Sequence, residues 1–145
     1  MEWQITSLNE LNVFASEFVK TLNQQAHEAT VVALFGELGS GKTSFTQATA
    51  RALGVLEQVT SPTFVIEKIY KLKQQAFLHL IHIDAYRLED SHELVALGWE
   101  DLIREPSNLV FVEWADRIKD ILPNTAVKLS FTYINETTRS VTMSR

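Results

Sequence analysis

The stretch FGELGSGKTS, residues 35–44, places two glycines, a lysine and a threonine at the spacing G-x-x-x-x-G-K-[ST]. Gly36 and Gly41 let the main chain turn and approach an anion without a Cβ in the way. The N–H groups between them can point inward at a helix N-terminus, an arrangement that binds phosphate. Lys42 would place its charge on β- and γ-phosphates, and the hydroxyl of Thr43 would contact Mg²⁺. The predicted phosphate-binding residues are Glu37, Leu38, Gly39, Ser40, Gly41, Lys42, Thr43 and Ser44.

The elements that flank this motif decide whether it is a chance match on a turn, which arises in roughly one chain of this length in a few hundred. The apolar run TVVALF, residues 30–35, is typical of a central parallel strand buried on both faces. After Thr43, Phe45, Ala48 and Leu53 recur at helical spacing, and Gly54 is a plausible helix stop. Strand, glycine loop and helix follow in the order that a phosphate-binding loop requires.

A triphosphate site also needs a carboxylate that holds the metal, normally at the carboxyl end of a neighbouring strand. LVFVE ends an apolar run with Glu113, and LIHID ends another with Asp84. We therefore predict that Thr43 and Glu113 hold Mg²⁺, with Asp84 at the metal or at the attacking water. The alternatives are an exposed acid at a strand end for Glu113 and a turn cap for Asp84. Lys42, Asp84 and Glu113 are the predicted catalytic residues.

Other polar positions carry weaker predictions. Thr60, Ser61 and Thr63 fall in VTSPTF, where many phosphate-loop proteins carry a switch that senses the γ-phosphate, although a hydroxyl-rich turn is an equal reading. Trp114 follows Glu113 directly, so it is a candidate neighbour of the nucleotide. Arg87 and Arg117 could stabilise a transition state, but each is more often a solvated surface residue.

His82 and Asp84 alternate on one predicted strand, so both side chains face the same side. That pair would suit zinc, but no third ligand is evident, and a zinc site is disfavoured. The chain lacks the Asn-Lys-x-Asp segment that gives common GTPases their guanine specificity, which favours ATP over GTP.

Bulk composition excludes several classes of function. The chain has 145 residues with 46% apolar residues, no cysteine and a net charge of −5. Disulfides, thiolate catalysis and Cys-ligated metals are excluded, and the acidic balance argues against binding nucleic acid alone through a broad basic face. The N-terminus lacks the pattern of a signal peptide, and no apolar run is long enough to span a bilayer. We expect one cytoplasmic domain, residues 1–145, that does not bind a membrane.

Residue periodicity predicts the remaining elements. Strands are expected at residues 2–6, 63–70, 76–84, 109–114, 126–134 and 140–144, with helical stripes at residues 11–22 and 91–103. Ser7 and Glu10 form a predicted capping box at the first helix. Short polar turns between the second and third strands and between the last two predict hairpins, hence antiparallel pairs. The predicted fold is α/β, a three-layer P-loop NTPase-like domain with a mixed sheet of parallel core and antiparallel hairpins.

Four segments together resemble one family. GELGSGKT, TSPTF, HIDAYR and VFVEWADR, in this order along nearly the whole chain, are similar to the TsaE family of small P-loop ATPases. The phosphate loop alone is generic, whereas the other three segments are specific. The resemblance matches Lys42 and Thr43 to the phosphate loop, Asp84 to an H-x-D-x-Y-R motif and Glu113 to a Walker-B-like segment.

This resemblance implies a role in bacterial tRNA threonylcarbamoyladenosine (t6A) synthesis, which modifies N6 of adenosine 37 in tRNAs that read codons beginning with A. It implies binding and weak hydrolysis of ATP with Mg²⁺, slow alone and modulated by TsaD- and TsaB-like partners. It also implies that the partners, not this chain, hold the tRNA. The alternatives are a small-molecule kinase with the same loop and an adaptor that binds ATP without hydrolysing it.

Overall fold

The computed structural model describes residues 1–59, 66–73 and 75–144, and within them the chain forms one seven-stranded sheet flanked by helices. The strands are β1 (Glu2–Ile5), β2 (Thr30–Phe35), β3 (Glu67–Lys71), β4 (His79–Asp84), β5 (Asn108–Glu113), β6 (Val127–Asn135) and β7 (Thr138–Ser144). The helices are α1 (Leu8–Lys20), α2 (Lys42–Ala52), α3 (Ser91–Ala96) and α4 (Trp99–Ile103), followed by a 3₁₀ segment (Ala115–Ile121).

The strand order is β1-β7-β6-β2-β5-β4-β3. The four inner strands β6, β2, β5 and β4 run parallel, while β3 pairs antiparallel with β4 and β7 pairs antiparallel with β6 and β1. The predicted mixed sheet and both predicted hairpins are confirmed. Because the parallel strands end at one edge, that edge is where the loops after β2, β4 and β5 meet.

Side-chain alternation along the inner strands creates a hydrophobic core on each face of the sheet. Val32, Leu34 and Phe111 pack with α1 and α2 on one face, where Phe45 of α2 lies 5.9 Å from Phe111 between ring centroids. Val31, Ala33 and their neighbours pack with α3, α4 and the 3₁₀ segment on the other face. The predicted three layers are confirmed.

The structure has two helices where the sequence predicts one helical stripe over residues 91–103. The prediction of a continuous helix is therefore wrong. α3 is capped by Asp90, whose carboxylate accepts a hydrogen bond from the His92 N–H at 2.9 Å. Gly98 adopts φ +98°, which an L side chain rarely adopts, and α4 starts directly after it. The apolar spacing continues across the break, and for that reason the pattern reads as one helix.

Several boundaries also differ from the expectations. The first strand ends at Ile5, and the strands of the β3–β4 hairpin start at Glu67 and His79. Residues 60–65, with part of the predicted 63–70 strand, lie outside the described residues. At α1 the Ser7 hydroxyl accepts from the Glu10 N–H as predicted, but the Glu10 carboxylate accepts from the Thr6 N–H rather than returning to Ser7.

Gly36 shows why a glycine must end β2. Its φ is +144°, and a Cβ at this position would lie 2.6 Å from the carbonyl oxygen of Phe131 and 2.6 Å from Oγ of Ser40. A side chain would therefore collide with β6 on one side and with the loop on the other. This close approach brings strand β6 against the loop of residues 36–41.

Candidate functional site

Strand register brings the two predicted carboxylates together. Asp84 is the last residue of β4 and Glu113 the last of β5, and the two are paired in the parallel β4–β5 register. Glu113 is also paired with Leu34 of β2, two residues before the glycine loop begins at Gly36. Both acids therefore stand beside the loop at the carboxyl edge of the sheet.

The loop of residues 36–41 leads directly into α2. A turn closes between the Ser40 N–H and the Glu37 carbonyl at 3.1 Å, and Gly41 with φ +106° is the N-cap of the helix. The first intrahelical bond runs from the Phe45 N–H to the Gly41 carbonyl at 2.9 Å. The N–H groups at the start of α2 precede this bond, so they have no intrahelical partner and favour an anion.

Lys42 is buried at the first position of α2. It is 4% exposed, and its ammonium donates to the Gly36 carbonyl and to the Glu37 carbonyl, the second at 3.0 Å. The Nζ atom also lies 4.1 Å from the centroid of the Trp114 ring, within cation–π range. The lysine is thus folded back onto its own loop.

Burial lowers the pKa of Lys42, since removal from water disfavours the charged form. The carboxylates of Glu113, Asp116, Asp84 and Glu37 act in the opposite direction and raise that pKa. An anionic ligand beside the ammonium would favour the charged form further. The environment of Lys42 is therefore one that gains from binding a negatively charged group.

A chain of hydrogen bonds runs through Glu113. The hydroxyl of Thr43 donates to Oε1 of Glu113 at 2.7 Å, and Nε2 of His82 lies 2.5 Å from Oε2 of the same carboxylate. Glu113 is 3% exposed and His82 is fully buried. The alternative that Glu113 is an exposed acid at a strand end is therefore wrong. The hydroxyl and the carboxylate that the sequence predicts as cation ligands are in direct contact.

Asp84 caps a turn, the alternative that the sequence leaves open for it, and it also lines the cavity above the loop. Its Oδ1 accepts a hydrogen bond from the Tyr86 N–H at 3.0 Å, so the carboxylate caps the turn after β4. It also lines the cavity above the loop together with Lys42, Thr43 and Glu113.

Trp114 lies beside Lys42 and has an unusual backbone conformation. Its φ is +56°, a positive value that is uncommon for a non-glycine residue. The ring packs against Tyr86, with centroids 5.0 Å apart, and covers the ammonium of Lys42. Strained backbone at a bulky residue is typical of functional sites.

The cavity above the loop has a volume of about 700 Å³ and extends well beyond the carboxylates. Its far wall comes from the end of β1 and from the β6–β7 hairpin, including Phe131, Thr137 and Arg139. Arg139 holds the hairpin against the loop, because its Nε donates to the Gly39 carbonyl at 3.2 Å. The sequence does not mark Thr137 or Arg139 as part of the site, since one lies in a polar hairpin turn and the other in an alternating strand.

His82 is a third residue that the sequence does not assign to the site. Its alternation with Asp84 placed both on one face, which was the available signal, but only the β4–β5 register shows that its partner is Glu113. The residues of the predicted switch, Thr60, Ser61 and Thr63, lie outside the described residues. The switch therefore stays a prediction. Arg117 donates to the Leu88 carbonyl at 3.2 Å and faces the Tyr86 ring at 5.9 Å.

The donor set suits a hard divalent cation. Among the described residues no three His, Asp or Glu side chains cluster as a metal cage. Mg²⁺ in phosphate sites is held by one or two carboxylates, with substrate phosphates and water completing its shell. Thr43 and Glu113, with Asp84 beside them, offer the hydroxyl and carboxylate oxygens that this arrangement requires.

The family model "Threonylcarbamoyl adenosine biosynthesis protein TsaE" matches residues 5–141 of the chain. The chain belongs to the TsaE family. Among curated TsaE-family proteins, that of Bacillus subtilis is 32% identical over 144 residues, covering 99% of this chain and 85% of its own. The Treponema pallidum protein is 32% identical over 117 residues, covering 81% and 83%. Both are named tRNA threonylcarbamoyladenosine biosynthesis proteins, so the family places this chain in tRNA t6A biosynthesis.

A crystal structure of Bacillus subtilis YdiB has the same fold, with a TM-score of 0.75 and 26% sequence identity. The superposition covers 99% of this TsaE-family chain and 83% of YdiB.

Within the described residues, no helix has the length and apolar character needed to cross a membrane.

The Thr43–Glu113 bond predicts a stability difference between two threonines of α2. Thr43→Val should lower the free energy of unfolding by about 1–3 kcal/mol, because it leaves the buried Oε1 of Glu113 without a donor. Thr49→Val is the matched control. The Thr49 hydroxyl is buried without a hydrogen-bond partner, so its removal should be neutral or stabilising. Urea unfolding of the free protein measures both. Equal losses for the two variants would contradict the assigned bond.

Proposed function

We propose that this TsaE-family chain binds ATP with Mg²⁺ and hydrolyses it slowly, as an accessory ATPase in the formation of t6A in tRNA. One observation carries the proposal. The Thr43 hydroxyl lies 2.7 Å from the Glu113 carboxylate, beside the start of α2 and the buried Lys42. Two candidate cation ligands, the Lys42 ammonium and a set of helix N-terminal N–H groups thereby lie close together.

The proposed pose follows from the shape of the cavity. The phosphates would lie against the loop and the start of α2, with Lys42 turning from its own carbonyls to the β- and γ-phosphates. The cavity continues past Phe131 to Thr137 and Arg139 of the β6–β7 hairpin, which leaves room for the ribose and the base. Trp114 would cover the phosphate end.

The residues around the phosphates would have separate roles in hydrolysis. Thr43 and Glu113 would hold the cation, which when bound supplies positive charge to the phosphate oxygens. Asp84 lines the same cavity as Thr43 and Glu113. It would orient the attacking water or a water of the cation. Closure of the site over ATP would exclude bulk water from the γ-phosphate.

The proposed partners are TsaD- and TsaB-like proteins, which would hold the tRNA and carry out the transfer step. Among the described residues, Arg139 is the arginine that lines the cavity, and its guanidinium is engaged by the carbonyls of Gly39, Asn135 and Thr138. An arginine that stabilises phosphoryl transfer is worth about 10³–10⁵ in rate. Since no other arginine of the described residues lines the cavity, we expect slow hydrolysis of ATP until a partner completes or orders the site.

Lys42→Ala should weaken ATP binding by about 10- to 100-fold or more, since it removes charge-assisted contacts to two phosphates. Lys119→Ala is the control, because Lys119 is an exposed lysine whose ammonium lies over the Phe35 ring outside the cavity. Calorimetric titration with ATP and Mg²⁺ measures both affinities. An affinity of Lys42→Ala within about twofold of wild type would refute the phosphate site.

Phosphate release should be well below the enzyme median of about 10 s⁻¹ for the chain alone and should rise when TsaD- and TsaB-like proteins are added. Thr60→Ala or Ser61→Ala, in the predicted switch, should reduce that rise more than they weaken ATP binding. Thr132→Ala, at an exposed position on β6, is the control. A fast lone protein unaffected by partners would contradict the accessory role, and phosphate transfer to an added acceptor would favour a kinase.

A further inference from the structure

His82 has no part in the proposed function so far, yet it is among the most buried polar residues of the described chain. The imidazole is fully buried in the middle of β4, between the parallel strand β5 and the antiparallel strand β3. Its Nε2 lies 2.5 Å from Oε2 of Glu113. Burying a polar ring in a sheet costs free energy unless its polar atoms are satisfied, so the contact with Glu113 needs an explanation beyond packing.

A carboxylate that binds a cation is ionised and only accepts hydrogen bonds. In the cation-bound state that we propose, His82 therefore donates from Nε2–H to Glu113. Nδ1 of the same ring has no hydrogen-bond partner among the described residues. The polar interaction of His82 is therefore directed at Glu113 alone. A hydrogen bond to a charged acceptor is the stronger kind, and here it is shielded from water.

Glu113 is consequently held at both oxygens. Thr43 donates to Oε1 at 2.7 Å and His82 approaches Oε2 at 2.5 Å. The terminal torsion of a glutamate is broad and roughly two-fold, so an unrestrained carboxylate would sample many orientations. Of the two contacts, the one from Thr43 comes from a residue that would itself bind the cation. The contact from His82 is made to the other oxygen, Oε2, by a residue that would not itself bind the cation.

We propose that His82 is a positioning residue, which holds the Glu113 carboxylate in the orientation that binds the divalent cation. The inference rests on the proposed Mg²⁺–ATP site and adds to it a residue that touches neither ligand. Groups that hydrogen-bond to metal ligands from outside typically contribute about 10- to 100-fold to metal affinity. Without His82, Glu113 would have to be ordered each time the cation binds.

The test compares nucleotide affinity with and without the cation. Calorimetry gives the ADP affinity of each variant in Mg²⁺ and in EDTA, and the ratio of the two measures how strongly Mg²⁺ assists binding. His82→Phe keeps a ring of similar size and removes the donor. We expect this variant to lower the ratio by about 10- to 100-fold, with the affinity in EDTA within about twofold of wild type.

Rescue separates positioning from packing. His82→Gln places an amide donor near the position of Nε2, so its ratio of ADP affinities in Mg²⁺ and in EDTA should return close to that of wild type. The side chain of His82→Asn is one bond too short to reach Glu113, so its ratio should stay low. His79→Gln, at the start of the same strand, should leave the ratio unchanged. Thermal unfolding of every variant accompanies the titrations, because a purely structural residue would lower the melting temperature without changing the ratio.

The outcomes distinguish this inference from the proposed function. A wild-type ratio near one would contradict the Mg²⁺–nucleotide site itself. A wild-type ratio well above one that is unchanged in folded His82→Phe would overturn the positioning role of His82. If His82→Phe does not fold, the comparison of the Gln and Asn variants decides, and equal ratios for those two would overturn the role.

Discussion

A buried carboxylate at the end of β5 is the constraint on which the site depends. Glu113 is 3% exposed, and its two oxygens are bound by Thr43 of α2 and His82 of β4. A polar group at this depth is costly unless it is hydrogen-bonded, so these two contacts hold a helix and two strands in one arrangement. The glycine loop lies between β2 and α2 and takes its position from the same contacts. Fold and site are thus coupled through one side chain.

Around this carboxylate lie the groups that we propose bind a phosphate together with a cation. Lys42 is withdrawn from water, and this burial lowers its pKa, against the opposing effect of four carboxylates that include Glu113 and Asp84. Its ammonium is bonded to loop carbonyls and covered by Trp114, so a phosphate would replace contacts that the lysine already makes within the loop. Preorganisation of this kind reduces the cost of ordering side chains when a ligand binds.

Local sequence patterns predict much of this site, whereas the rest depends on which strands pair with each other. The loop, β2, α2 and the two terminal acids follow from spacing and from apolar runs that end in carboxylates. The contact between His82 and Glu113 depends on the β4–β5 register, and the approach of Arg139 to the loop depends on β6 lying next to β2. Neither strand pairing can be read from a short segment of the sequence. The break at Gly98 was missed because the apolar spacing continues across it, while its positive φ leaves no mark on periodicity.

The central claim is that Thr43 and Glu113 share one divalent cation in a nucleotide complex. A crystal structure with a non-hydrolysable ATP analogue and Mn²⁺, located by its anomalous signal, tests this most directly. The account predicts six oxygen ligands, with the Thr43 hydroxyl among them and Glu113 bound directly or through one water, as Mg²⁺ is held in such sites at about 2.0–2.1 Å. A cation farther than about 8 Å from the closest Glu113 oxygen would contradict it, since a water-bridged contact is shorter than that.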